Sequence, residues 1–246
     1  MDTQNVWSVA SKDFETIKRK KSIMLSIFVL PLLLCVSFSL YVANLVQQWP
    51  QTGIPTTLSL GLESIVYFFV IIAAILPSSL AAYSIVGEKV EKSLEPLLAT
   101  PMTDGEILLG KGIAAFVPPI LATWTGAALF MIGTDFLMHN GLSYYYFPDW
   151  ISGIMLLLLA PFAAVMSIEL TVIVSSRVAD VRGATQLGSL MFIPFMLVFV
   201  AEAAGAFSFD TGSLLAMSCI VLVVDVALYF LSTSTFRREE MLTKWK

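Results

Sequence analysis

The stretch Gly105 to Gly112, GEILLGKG, nearly matches a nucleotide-binding loop. The Walker A pattern requires Gly, four residues, Gly, Lys and then Ser or Thr, and Gly112 occupies the last position. The missing hydroxyl would hold Mg²⁺. The pattern must also follow a buried strand, whereas Thr103 and Glu106 match a capping box, which begins a helix. The sequence therefore predicts a helix here and no nucleotide-binding or catalytic motif.

Side chains for other chemistry are sparse. The single histidine, His139, is predicted in an external loop, and no Ser-Lys or paired Asp motif accompanies it, which disfavours an intramembrane hydrolase, the main enzymatic alternative. Cys35 and Cys219 lie in apolar runs and follow no metal-ligand spacing. The sequence contains no basic patch that would bind nucleic acid. We expect no catalytic residue, metal or cofactor in this chain.

The composition indicates a membrane protein. Of the 246 residues, 57% are hydrophobic and only 13% are charged, and the mean hydropathy is +0.84, too apolar for a soluble domain. A spanning helix needs about 20 mostly apolar residues. Six stretches qualify, so we predict an all-α, polytopic membrane protein whose single transmembrane domain occupies residues 1–246. The predicted spans are 22–45, 60–86, 107–134, 151–174, 187–205 and 213–231.

The basic residues predict the orientation of these spans. All 14 Lys and Arg residues lie before the first span, around the second and fourth connections, or in the tail at 232–246. The other connections contain none. Because basic residues are retained on the cytoplasmic side, we expect both termini in the cytoplasm and a multi-pass protein of the cell membrane.

An amphipathic segment, residues 1–21, precedes the first span. Val6, Ala10, Phe14 and Ile17 recur at helical spacing with Trp7 beside them, which is typical of a helix lying in the cytoplasmic interface of a membrane. The simpler alternative is a solvated basic anchor that only sets the topology.

The connection between spans two and three, residues 87–106, predicts a second amphipathic helix. Val90, Leu94, Leu97 and Leu98 form an apolar stripe opposite charged residues, and Pro101 ends the element. Such a stripe needs a partner. The alternative is a helix that lies on the membrane surface without one.

Two carboxyl groups are predicted inside the spans. From the rise of a helix, Glu169 lies about 8 Å and Asp225 about 9 Å from the inner ends of their spans. An ionised carboxylate there is costly and faces a partner or a wet cavity. One hypothesis is that they line a pathway for a cationic or polar substrate. The other, which we favour, is structural pairing with Arg177, Arg182 or Lys111.

Two runs resemble a known family. VGEKVEKSLEPLLATPMTDGEILLGK, from Val86 to Lys111, and SSRVADVRGATQLGSLMFIP, from Ser175 to Pro194, are similar to the membrane subunits of type-2 ATP-binding cassette exporters, the ABC-2 permease family. The six predicted spans, the amphipathic N-terminal segment and the two termini expected in the cytoplasm match that family along essentially the whole chain.

The resemblance implies a permease that forms a translocation path, exports its substrate and pairs with a second permease subunit. A separate cytoplasmic ATPase would bind ATP and Mg²⁺ and dock on a coupling helix between spans two and three. The expected ATPase-coupling residues are Glu88, Glu95, Leu97 and Leu98. The alternative is a mechanical transmitter or sensor that binds an ATPase without transport. Neither the substrate nor the choice between homodimer and heterodimer follows from the sequence.

Overall fold

The computed structural model describes residues 2–48, 56–90, 102–142, 145–178 and 180–235, and these ranges contain helices but no strand. The all-α prediction is therefore confirmed. In chain order the helices are α1 (Thr3–Arg19), α2 (Lys21–Gln48), α3 (Thr56–Ala82, continued by a π-helical turn at Tyr83–Gly87 and by Glu88–Val90), α4 (Asp104–Leu142), α5 (Trp150–Ile154, a π-helical turn at Met155–Leu159, and Ala160–Ser175), α6 (Val181–Ser189), α7 (Phe192–Ala203) and α8 (Thr211–Thr235).

Six segments are long and apolar enough to cross a membrane, as predicted. Five of them extend the predicted spans by a few residues, while the fifth span differs in kind because it consists of two helices, α6 and α7, separated at Leu190 and Met191. The observed bounds are Lys21–Gln47, Leu60–Val90, Asp104–His139, Trp150–Ser175, Val181–Ala203 and Thr211–Thr233.

Helix α3 is the centre of the bundle. In its most apolar window 83% of the residues are buried, against 17% in α2 and 22% in α8, so α3 is surrounded by protein while α2 and α8 lie at the periphery. Helices α4, α5, α6 and α7 all pack against it. Tyr67, Phe69 and Ile72 of α3 are among the most completely buried large side chains.

Glycines allow the closest helix contacts. A Cβ on Gly126 of α4 would lie 2.8 Å from Pro31 Cβ of α2, and a Cβ on Gly188 of α6 would overlap the Thr171 hydroxyl of α5. Small residues at helix interfaces are how spans pack tightly in lipid, where dispersion replaces hydrophobic burial. These two contacts fix α2 on α4 and α6 on α5.

Proline 161 leaves a backbone carbonyl in α5 without its helical donor. In the preceding π-helical turn the Ala160 amide donates to the Met155 carbonyl, and the next residue, Pro161, has no amide hydrogen for the Leu156 carbonyl. The indole Nε1 of Trp124 on α4 donates to that carbonyl at 2.7 Å. Because lipid offers no donor, this bond both satisfies α5 and joins it to α4.

Candidate coupling site and intramembrane carboxyl groups

A group of charged and polar side chains joins α1 to the end of α3 and the start of α4. We call it the α1 ion cluster, and its members are Lys12, Asp13, Ser84, Glu88 and Lys111. The Lys111 ammonium lies 2.6 Å from Glu88 Oε2 and 3.4 Å from Asp13 Oδ2. It also donates to the Ser84 carbonyl oxygen at 2.8 Å, and the Ser84 hydroxyl donates to Asp13. Lys12 lies 2.7 Å from Glu88 Oε1.

The middle of the α1 ion cluster is buried. The side chains of Lys111 and Asp13 are 2% and 6% exposed, whereas that of Lys12 is 47% exposed. A buried charge is tolerated only when it is paired and hydrogen-bonded, and Lys111 satisfies this condition through three residues on two helices. The cluster therefore locks α1, α3 and α4 into one geometry.

Sequence reasoning missed the role of Asp13, although a signal for it existed. The buried face of α1 consists of Val9, Ala10, Asp13 and Ile17, so Asp13 stands in the apolar stripe at helical spacing from Val9 and Ile17. A carboxylate in such a stripe needs a buried partner. The partner could not be named from the sequence, since Lys111 is 98 residues away.

The start of α4 is also fastened to α1. The predicted capping box is confirmed: Thr103 Oγ1 accepts from the Glu106 amide at 3.3 Å, and Glu106 Oε2 accepts from the Thr103 amide at 2.9 Å. Glu106 Oε1 additionally accepts from the Asp2 amide at 2.7 Å, and Asn5 Nδ2 donates to Glu106 Oε2 at 3.4 Å. The predicted interfacial helix is thus a helix that packs on α4 along its buried face.

The Walker-like stretch has a structural explanation. Residues Gly105 to Gly112 lie wholly within α4. A Cβ on Gly110 would lie 2.7 Å from Val9 Cβ, so this glycine allows α1 to pack closely against α4. Lys111 is a member of the α1 ion cluster. The glycine and lysine of the motif therefore support helix packing and a buried ion pair.

The predicted coupling residues are only partly within the described structure. Glu88 is part of the α1 ion cluster, while Glu95, Leu97 and Leu98 lie outside the described residues. The neighbouring Lys89 points its ammonium at the Ser175 carbonyl oxygen, 2.5 Å away, which ties the end of α3 to the end of α5. A coupling role for the four predicted residues stays a prediction.

The pairing that we favoured for Glu169 and Asp225 does not occur in the described part of the chain. Glu169 Oε2 and both carboxyl oxygens of Asp225 are buried without a hydrogen-bond partner there. Lys111, one of the expected partners, is instead engaged by the α1 ion cluster. The reason is geometric: Asp13 and Glu88, on elements that pack against the start of α4, reach Lys111. The two carboxyl groups lie on α5 and α8, which pack against each other.

Acidic side chains at the opposite end of the bundle are held by hydrogen bonds. Asp135 Oδ1 accepts from the amide of Tyr146 at 2.9 Å, and the Tyr146 hydroxyl donates to Glu63 Oε1 at 3.1 Å. The Ser64 hydroxyl donates to Glu202 Oε2 at 2.9 Å. These carboxylates organise the connection between α4 and α5 and the contact of α3 with α7.

Comparison with known proteins agrees with this architecture. A family model described as ABC-2 family transporter protein matches residues 7–208, which contain α2 to α7 and most of α1. No curated protein matches the chain significantly. The match covers well over half of the 246 residues and contains five of the six apolar helices, while the sixth, Thr211–Thr233, follows the matched range. On these grounds, the chain belongs to the ABC-2 family of transporter proteins.

Proposed function

We propose that this chain is the permease subunit of an ABC exporter in the cell membrane and that ATP hydrolysis in a separate cytoplasmic subunit drives it. Membership of the family implies association with an ABC ATPase and a non-catalytic transport role. In this proposal the ATPase binds ATP and Mg²⁺, and two permease subunits enclose the translocation path. Both termini face the cytoplasm, since the basic residues concentrate at that side.

The attachment of both ends of the segment between α3 and α4 carries the proposal. Glu88, just before that segment, binds Lys12 of α1. Glu106, just after it, accepts from the Asp2 amide and from Asn5 of α1. A displacement of the segment is therefore passed to α1, α3 and α4 together, since packed helices and buried ion pairs move as units.

This arrangement suits a lever between an ATPase and the spans. Helix α1 would be the connecting helix, and residues 87–100, which comprise the last turn of α3 and most of the segment that follows it, would form the coupling helix. Glu88, Glu95, Leu97 and Leu98 would lie at or near the ATPase surface, with the leucines as apolar anchors. Membrane lipid would surround α2 and α8, whose windows are the least buried together with that of the fifth span.

A photo-crosslinking amino acid at Leu98, irradiated in native membranes, tests the proposal. We expect it to capture a protein that mass spectrometry identifies as an ABC ATPase. The matched control carries the same amino acid at Trp150, which is 85% exposed and starts α5 at the opposite end of the bundle. That variant should capture no ATPase. Labelling of lipid alone from Leu98 would refute the coupling role.

A further inference from the structure

A cavity lies between α4, α5 and α8 and is distinct from the α1 ion cluster. Its volume is about 260 Å³, and it is partly open. Almost all of its wall is apolar, and the carboxyl group of Glu169 is part of that wall. Lining residues include Leu109, Phe116, Val165, Glu169, Val172 and Tyr229.

The carboxyl group in this wall is buried and unsatisfied. Glu169 is 8% exposed, and its Oε2 has no hydrogen-bond donor in the described part of the chain. Asp225 of α8, the helix that packs against α5, is 5% exposed and has no donor for either oxygen within the same ranges. Buried carboxyl groups inside a membrane require a positive charge or a proton.

The described lysines at this end of the bundle point elsewhere. Lys111 precedes cavity-lining Gly112, yet its ammonium is bound by Asp13, Ser84 and Glu88. Lys89 donates to the Ser175 carbonyl oxygen. These two ammonium groups therefore satisfy other acceptors in the described part of the chain, and a bound ligand can supply the positive charge that complements Glu169.

We propose that this cavity binds amphiphilic amines, with the ammonium group on Glu169 and the hydrophobic part against the apolar wall. Carboxylate oxygens accept hydrogen bonds and carry negative charge, so an ammonium with N–H donors complements them better than a neutral or anionic group. The side chains of Phe116, Val165 and Val172 supply apolar contact area around that charge.

The inference rests on the proposed function for its biological meaning, since a ligand held there would be a transport substrate. Binding itself requires no ATPase and can be measured on the permease alone. The two ideas therefore fail separately: absence of amine binding leaves the ATPase capture at Leu98 untouched, and absence of capture leaves amine binding untouched.

Gly112 provides a way to close the cavity without disturbing the fold. It lines the cavity, and a Cβ built on it meets no atom within 4 Å. A side chain at this position would therefore extend into the empty volume of the cavity. Replacing a glycine inside a helix also favours the helix. Gly153 of α5 is a matched control, because its Cβ likewise meets no atom within 4 Å and it does not line the cavity.

The experiment measures binding of dansylcadaverine, a fluorescent primary amine, to the purified permease in lipid nanodiscs. Empty nanodiscs supply the background from partition into lipid. The matched ligand is its N-acetyl derivative, which keeps the apolar part but has no charge. We expect the amine to bind roughly tenfold to a hundredfold more tightly than the acetylated form, the range typical of a hydrogen bond to a charged group.

Variants then connect this difference to the cavity. Glu169→Gln should remove most of the preference for the amine, and Gly112→Leu should weaken both ligands. Gly153→Leu and Asp210→Asn, an exposed carboxylate beside α8, should behave like the wild type. Thermal unfolding confirms that each variant is folded.

Equal affinities of the wild type for the amine and its acetylated form would overturn the proposal, because a protonated carboxyl pair would then suffice. Retention of the amine preference in folded Glu169→Gln, or of binding in folded Gly112→Leu, would also overturn it.

Discussion

Lys111 shows how one side chain can hold three elements together. Its ammonium contacts Asp13 of α1 and Glu88 at the end of α3, and its own side chain is 2% exposed. The cost of removing it depends on what is left behind: two carboxylates in a site from which water is largely excluded. Loss of one partner from a buried ion pair costs about 3–5 kcal/mol, far more than the pair adds over an apolar replacement.

We therefore expect Lys111→Met to lower the free energy of unfolding by about 3–5 kcal/mol, measured by unfolding in mixed micelles. Lys12→Met is the matched control, because Lys12 also binds Glu88 but is 47% exposed; its cost should stay below about 1 kcal/mol. Adding Asp13→Asn to Lys111→Met should restore part of the loss, since one unpaired charge disappears. Equal costs for the two lysine variants would contradict this account.

At the scale of elements, the bond from Trp124 to α5 compensates for a proline. The Leu156 carbonyl faces Pro161, which has no amide hydrogen, and accepts from the Trp124 indole instead. We expect Trp124→Phe to lower the free energy of unfolding by about 1–3 kcal/mol, the cost of leaving a buried acceptor unsatisfied. The same measurement in micelles applies.

A double-mutant cycle separates this bond from the packing of the ring. Pro161→Ala restores an amide hydrogen next to the Leu156 carbonyl, so Trp124→Phe should cost about 1 kcal/mol less in that background than in the wild type. The loss of indole contacts is the same in both backgrounds and cancels. An unchanged cost would show that the indole bond contributes little beyond packing.

Hydropathy predicts the spans well but not their interruptions. Apolar length alone located all six, since crossing a membrane is a local requirement of about 20 residues. The break at Leu190 and Met191, between α6 and α7, lies one turn before Pro194, whose missing amide hydrogen leaves the Leu190 carbonyl to accept from the Ile193 amide at 3.0 Å instead. Yet Pro118 and Pro119 lie inside the unbroken α4, so a proline alone does not predict an interruption. Whether a proline bends a helix, breaks it or is accommodated in it depends on neighbouring hydrogen-bond donors such as Trp124. The sequence does not show where those donors lie.

For the candidate sites as well, the sequence predicts local features but not contacts between distant residues. The capping box at Thr103 and Glu106 is local, and its spacing predicted it correctly. Glu169 was recognisable as an intramembrane carboxyl group, but Lys111, one of the three basic residues expected to pair with it, binds Asp13, which is far away in the chain. Contacts between distant residues need the fold before they can be assigned.

Charged residues are distributed unequally between the two ends of the molecule along the membrane normal. Basic residues gather at the end with α1, where Val178 and Val181, beside Arg177 and Arg182, pack against the end of α3. In the described structure the opposite end has carboxylates at Glu63, Asp135, Asp149, Glu202 and Asp210 and carries no lysine or arginine. Because basic residues are retained in the cytoplasm, we expect the α1 end to be cytoplasmic.

Labelling with a membrane-impermeant maleimide tests this orientation. Both native cysteines, Cys35 and Cys219, are first replaced by alanine. Ser8→Cys on α1 and Ser208→Cys before α8 are then a matched pair, since both serines are exposed and lie at opposite ends. We expect Ser208→Cys to react in intact cells and Ser8→Cys to react only after permeabilisation. The reverse pattern would place Glu88 and the segment that follows it outside the cell, where no ATPase has ATP to hydrolyse, and would refute the proposed coupling together with the orientation.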